Sequence, residues 1–122
     1  MKYLLDSNII IYYLNGDKNI RSFIEQNGSI SAISIITYYE VLNYDFTTKE
    51  ELIVRDFLDD FEVLSISKNI INQALKNRKI KKIKMADNFI LATAQIFGFD
   101  IVTRNSKDFA FFTNKIINPF ES

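Results

Sequence analysis

Four acidic side chains stand beside hydroxyls and amides in separate stretches of the chain. They are Asp6 in Leu5-Asp6-Ser7-Asn8, Glu40 one turn after Thr37, Asp87 in Asp87-Asn88, and Asp108 shortly after Thr103-Arg104-Asn105. The 122 residues include no His and no Cys, which excludes imidazole acid–base chemistry, thiol nucleophiles and nitrogen- or sulfur-bound metals. Catalysis must therefore run on carboxylates, hydroxyls, lysines or a metal held by oxygen. Oxygen-only ligands suit Mg²⁺ or Mn²⁺ rather than zinc. The reaction such a set supports best is phosphodiester hydrolysis by metal-activated water.

Each acid alone also has a simpler reading. Asp6 ends the apolar run Tyr3-Leu4-Leu5 and could cap a helix, and Asp108 could do the same. Glu40 reads as a surface helix acid. Asp87 is more informative, because stepping back from Ile90, Leu91, Ala94 and Phe97 by three and four residues lands on it. It extends the inward stripe of its helix, where an ionised carboxylate is costly unless paired or bound to a cation. Two carboxylates about 5 Å apart repel by about 3 kcal/mol at an effective dielectric near 20. Four on one rim would need protons or a bound cation.

Positioning them requires a scaffold of short strands and longer helices. Strands are expected at Lys2–Leu5, Ser29–Ile33, Glu62–Ile66, Asp100–Thr103 and Ile116–Asn118. Helices are expected from Asp6-Ser7-Asn8 through Leu14, to about Gln26, and over Ser34–Tyr44, Thr48–Asp60, Ser67–Asn77 and Met85–Phe97. This alternation predicts an α/β fold: three α/β/α layers around a mostly parallel sheet of about five strands, in one domain spanning 1–122. In such sheets the ligand crevice lies beyond the carboxyl ends of the strands. That rim is where Asp6, the Ser34–Glu40 segment and the Thr103–Asp108 segment fall.

The formal net charge is zero, yet residues 1–61 carry 5 bases against 10 acids and residues 62–122 carry 10 against 5. Lys76, Arg78, Lys79, Lys81, Lys82 and Lys84 crowd into one short stretch. Such a run is either a solvated face or a footprint for a polyanion such as nucleic acid. The early apolar run Ile9–Leu14 is far short of the roughly 20 residues a spanning helix needs, and a cytoplasmic protein is expected. The paired tyrosines Tyr12-Tyr13 and Tyr38-Tyr39 are expected to serve packing more than base contact.

In order, the blocks Leu5-Asp6-Ser7-Asn8, Ser34 to Leu42, Asp87 to Ala94, Val102 to Asn105 with Asp108-Phe109, and Ile117-Asn118-Pro119 resemble the PIN-domain nucleases. Among these they resemble the VapC-like toxins of bacterial toxin–antitoxin pairs. The resemblance implies that Asp6, Glu40, Asp87 and Asp108 surround Mg²⁺ or Mn²⁺. It makes Ser7, Asn8, Thr37, Thr103 and Asn105 supporting polar positions. It further implies metal-dependent endoribonuclease cleavage, often of transfer or ribosomal RNA, leaving a 5′-phosphate and a 3′-hydroxyl. A homodimer and a co-encoded antitoxin are implied as well. Lys79, Lys81, Lys82 and Arg104 are the candidate RNA contacts.

Three other readings are weighed beside it. A haloacid-dehalogenase-like phosphatase needs an Asp two residues after the first, where this chain has Asn8. A phospho-accepting receiver domain needs an acceptor Asp at the end of the third strand, which here reads Leu64-Ser65-Ile66. A catalytically silent PIN-like module binding RNA or protein would not need all four acids.

Overall fold

A computed structural model describes residues 1–120 of the chain. Five strands, β1 (Tyr3–Leu5), β2 (Ser31–Ser34), β3 (Glu62–Leu64), β4 (Asp100–Val102) and β5 (Ile116–Ile117), form a wholly parallel sheet in the order β3-β2-β1-β4-β5. The helices are α1 (Ser7–Leu14), α2 (Lys18–Asn27), α3 (Ile35–Leu42), α4 (Thr48–Asp59), α5 (Lys68–Ile80) and α6 (Met85–Phe97). The register sets Leu4 opposite both Ala32 and Ile101.

Strand alternation divides the core between two faces. Tyr3, Leu5, Ile33 and Val102 pack with Ile9, Ile20, Val41 and Leu58 of α1 to α4. Leu4, Ala32 and Ile101 point the other way, against Ile90, Leu91 and Ala94 of α6. Helix α5 covers the outer side of α6 through Ile70, Ala74 and Ala92. The expected three-layer α/β/α arrangement is thus the observed one. Because both faces are covered, β1 and β2 are buried along their whole length, with the polar Ser31 and Ser34 at the two ends of β2.

Local chemistry sets the helix ends. Thr47 and Glu50 form a reciprocal capping box that starts α4, and Ser67 caps α5 through the amide of Ile70. Gly98 closes α6 in the left-handed region at φ 74°, and a Cβ there would meet no atom within 4 Å. Gly98→Ala should therefore lower stability through backbone strain alone, by about 1 kcal/mol. A chemical-denaturation midpoint checks this, and an unchanged midpoint would contradict it.

Several boundaries differ from expectation. Strand β2 starts at Ser31, because Gly28–Ile30 close a 3-10 turn in which the Ser31 hydroxyl donates to the Asn27 carbonyl at 2.8 Å. Helix α3 ends at Leu42 rather than Tyr44, with Asn43 as its cap at ψ 59°. Helix α5 continues past Asn77 to Ile80, and β3, β4 and β5 are each shorter than expected. Among the described residues no helix is long and apolar enough to cross a membrane.

Candidate active site

The sheet order reverses direction between β1 and β4, the strand pair whose carboxyl ends frame a ligand crevice in folds of this type. Asp6 follows β1 directly and is only 6% exposed. Its backbone amide extends the ladder by donating to the Val102 carbonyl at 2.9 Å. Asp6 also caps α1, with Oδ1 accepting from the Ser7 amide at 2.8 Å. Its Oδ2 accepts from the Thr103 hydroxyl at 2.9 Å and from the Asn8 side-chain amide at 3.1 Å. The cap expected from sequence and a place in the crevice are therefore the same arrangement.

Burial pushes the Asp6 carboxyl up to about 6 from its ordinary 3.8. The hydrogen bonds from Thr103 and Ser7 oppose that rise, and the charges of Asp87 and Glu40 add to it.

Glu40 is exposed on α3, and its Oε1 accepts a short 2.5 Å bond from the Ser7 hydroxyl. Ser7 Oγ also lies 3.4 Å from Thr37 Oγ1, which faces the Leu5 carbonyl at 3.5 Å. The β1–α1 junction thereby holds the glutamate of a different crossover. Asp87 is half-buried in the first turn of α6. Burial raises its pKa, the charges of Asp108 and Glu40 raise it further, and Lys84 pulls it down. Asp108 is exposed at the end of a 3-10 turn, Ser106–Asp108, that begins after Asn105. It does not cap a helix there. The fully buried Phe109 ring anchors this turn to the core.

These influences connect all four acids across one rim: Asp6 with Asp87 and Glu40, and Asp87 with Glu40 and Asp108. Among the described residues no three acidic side chains already close around one point as a metal-holding group. The supporting positions fall at the same rim. Thr103 Oγ1, which donates to Asp6, accepts from the Asn105 amide at 3.0 Å, and Asn8 Oδ1 accepts from the Arg104 amide at 3.1 Å.

The candidate basic contacts divide. Lys81 and Lys82 line a cleft of about 240 Å³ with Lys84 and Lys107, and Asp87 and Asp108 belong to its wall. Lys79 is exposed on the last turn of α5 and is not part of that wall. Arg104 is held locally, donating to the Tyr12 hydroxyl at 2.6 Å with its guanidinium over the Tyr12 and Phe120 rings. Tyr13 stacks on Phe57 with centroids 4.5 Å apart, so both members of the first tyrosine pair pack. In the second pair Tyr38 is half-buried and Tyr39 is exposed.

Sequence reading missed Lys107 and Phe111 as neighbours of Asp87. Both lie in an aperiodic segment, so no helical or strand spacing marked them. Their one signal was a base directly before Asp108 and an aromatic two residues after Phe109.

Residues 3–112 match the family model described as PIN domain. The chain is 33% identical over 113 residues to Ribonuclease VapC1 of Methanocaldococcus jannaschii, covering 88% of this chain and 79% of that protein. A solved toxin–antitoxin complex from Klebsiella pneumoniae contains a chain similar at 32% identity and a TM-score of 0.86, with 99% of this chain and 100% of that one covered. FitAcB from Neisseria gonorrhoeae, at 20% identity and a TM-score of 0.84 over 98% of this chain and 99% of that one, shares the fold.

Proposed function

The chain belongs to the PIN domain family, within its VapC-like branch, and on that premise we propose that it is a Mg²⁺- or Mn²⁺-dependent endoribonuclease. Residues 1–122 act as one nuclease domain, with Asp6, Glu40, Asp87 and Asp108 as the catalytic and metal-holding acids. The observation that carries this reading is that Ser7 joins Asp6 and Glu40 through its amide and hydroxyl while Asp87 and Asp108 line one cleft, with the charges of Glu40 and Asp87 bearing on Asp6. The charges of Asp87 and Glu40 add to the proton affinity of Asp6, and those of Asp108 and Glu40 add to that of Asp87. A hard divalent cation is the partner that an all-oxygen donor set selects.

When bound, the cation supplies charge neutralisation at phosphate oxygens and activation of water. The chain's own residues do the rest. Thr103, Asn8 and the Ser7 amide fix both oxygens of Asp6 as acceptors. Ser7 fixes one oxygen of Glu40 and leaves the other free. Lys84 and Lys107 bring positive charge beside Asp87 and Asp108, where a substrate phosphate must enter. The phosphatase alternative is disfavoured because Asn8, where that chemistry needs an acid, spends its amide on Asp6. A silent module is disfavoured by the retention of all four acids.

The substrate we assign is RNA, with transfer or ribosomal RNA foremost. The partners are a co-encoded antitoxin and a second copy of the chain, and the setting is the cytoplasm. The antitoxin assignment draws support from the toxin–antitoxin complex that the fold matches. Cleavage of total RNA with Mg²⁺, its loss in EDTA, and growth arrest on expression without antitoxin are the expected results. Cleavage that persists in EDTA would overturn the reading.

Replacing Lys79, Lys81 and Lys82 with Gln should weaken RNA binding and reduce the logarithmic salt slope by about 2. This follows from a slope of roughly 0.7 per phosphate contact on a single strand. An unchanged slope would return the segment to a solvated face.

A further inference from the structure

Phe111 is 60% exposed, although the neighbouring Phe109 is fully buried and Phe112 is half-buried. Its ring is nonetheless held in place. Phe112 braces it edge-on at 5.3 Å and 78°, and the Lys81 ammonium lies 4.6 Å from its centroid. The same cleft is lined by Lys82, Lys84 and Lys107 and by Asp87 and Asp108. A flat, braced, solvent-facing ring in a cleft lined by four lysines combines the two elements of single-strand recognition: a stacking surface and cations for the backbone. A cleft of about 240 Å³ is smaller than a typical pocket for a drug-sized ligand and suits one nucleotide. A duplex keeps its bases stacked inside, so only an unpaired base could reach the ring.

Resting on the nuclease reading, we infer that Phe111, with the Lys81 ammonium over its ring, is a stacking platform for one unpaired RNA base next to the carboxylate rim. It is a substrate-positioning residue that directs cleavage to single-stranded segments. The lysines hold the phosphates on either side of the stacked base, which sets the scissile phosphate at the acids. The preference is for unpaired structure rather than for a particular base, because every base offers a π-face.

The test measures binding of a short unstructured oligoribonucleotide containing 2-aminopurine, in EDTA and low salt so that nothing is cut. The wild type should bind and quench the fluorescence. Phe111→Leu should bind about tenfold more weakly with quenching lost, and its salt slope should not change because no charge is removed. Phe111→Trp should restore both affinity and quenching. A thermal melt of each variant should match the wild type, as expected for so exposed a ring.

Equal affinity and quenching for wild type and Phe111→Leu, or a Phe111→Trp protein as weak as Phe111→Leu, overturns the platform. So does a wild type that cuts this RNA in Mg²⁺ but fails to bind it in EDTA. In each of these cases Mg²⁺-dependent cleavage by the wild type leaves the nuclease reading standing. A wild type that neither binds nor cuts the RNA overturns both.

Discussion

Asp87→Asn yields a folded protein that cuts RNA at least about 100-fold more slowly than the wild type. The floor of that estimate is the 10- to 100-fold typical of losing a group that only supports a metal ligand, and Asp87 is assigned as a ligand itself. Its position makes the two halves of the prediction separable. The carboxylate sits half-buried at the first turn of α6, beside the charges of Asp108 and Glu40. Removing its charge relieves that repulsion, so the fold should be no weaker in EDTA at neutral pH. The stripe that holds α6 in the core, Ile90, Leu91 and Ala94, is untouched. Initial rates on a defined RNA and a melting curve of the same sample check both halves. A rate within threefold of wild type would remove Asp87 from the assignment. Lost activity accompanied by a fallen melting temperature would make its role structural.

The second large effect is a fall in the stability of the metal-free protein as pH rises. Burial holds the proton on Asp6 up to about 6, whereas the same group in the unfolded chain releases it near 3.8. Between those values the folded state binds more protons, so stability decreases with rising pH. This contribution is fully present below about pH 4 and is lost as the pH passes through about 6. At 1.36 kcal/mol per pKa unit, the difference is about 3 kcal/mol, or on the order of 10 °C in melting temperature for a chain of this size. The pKa of Asp87 is raised as well, so it acts in the same direction. About half of the Asp6 difference remains at pH 5, so in EDTA the melting temperature should drop from pH 5 to pH 7.5 by about 5 °C for the wild type and much less for Asp6→Asn. Adding Mn²⁺ at pH 7.5 should return most of the loss, because the ionised carboxylates then have a partner. A wild type that gains stability over this range would contradict an Asp6 whose burial outweighs its hydrogen bonds.

How far the sequence reveals this arrangement depends on how local each determinant is. Helix α6 is legible end to end: its apolar stripe repeats at helical spacing, and Gly98 marks its close. Asp6 is legible because one residue both ends a strand and caps a helix. The length of α5 is not. Asn77 reaches across to Asn88 and Gln95 at 3.1 and 2.8 Å, and those contacts appear only when α5 lies against α6. The start of β2 is hidden because Ser29-Ile30 looks like strand, while the Ser31 hydroxyl bond to Asn27 makes it a turn. Glu40 is legible only through resemblance, since its environment is supplied by Ser7 at a separation of 33 residues. Phe111 and Lys107 are invisible for a similar reason. They meet Asp87 only because β4 returns beside β1 and delivers its following segment to the rim.

The proposed site requires a divalent cation to reconcile these four charges. The most direct measurement is a calorimetric titration of RNA-free protein with Mn²⁺ at pH 7.5, repeated with Asp6→Asn and Asp87→Asn. Saturable binding by the wild type, displaced by excess Mg²⁺ and lost in either variant, is the predicted result. Absence of binding in the wild type, or binding that both variants retain, would contradict it.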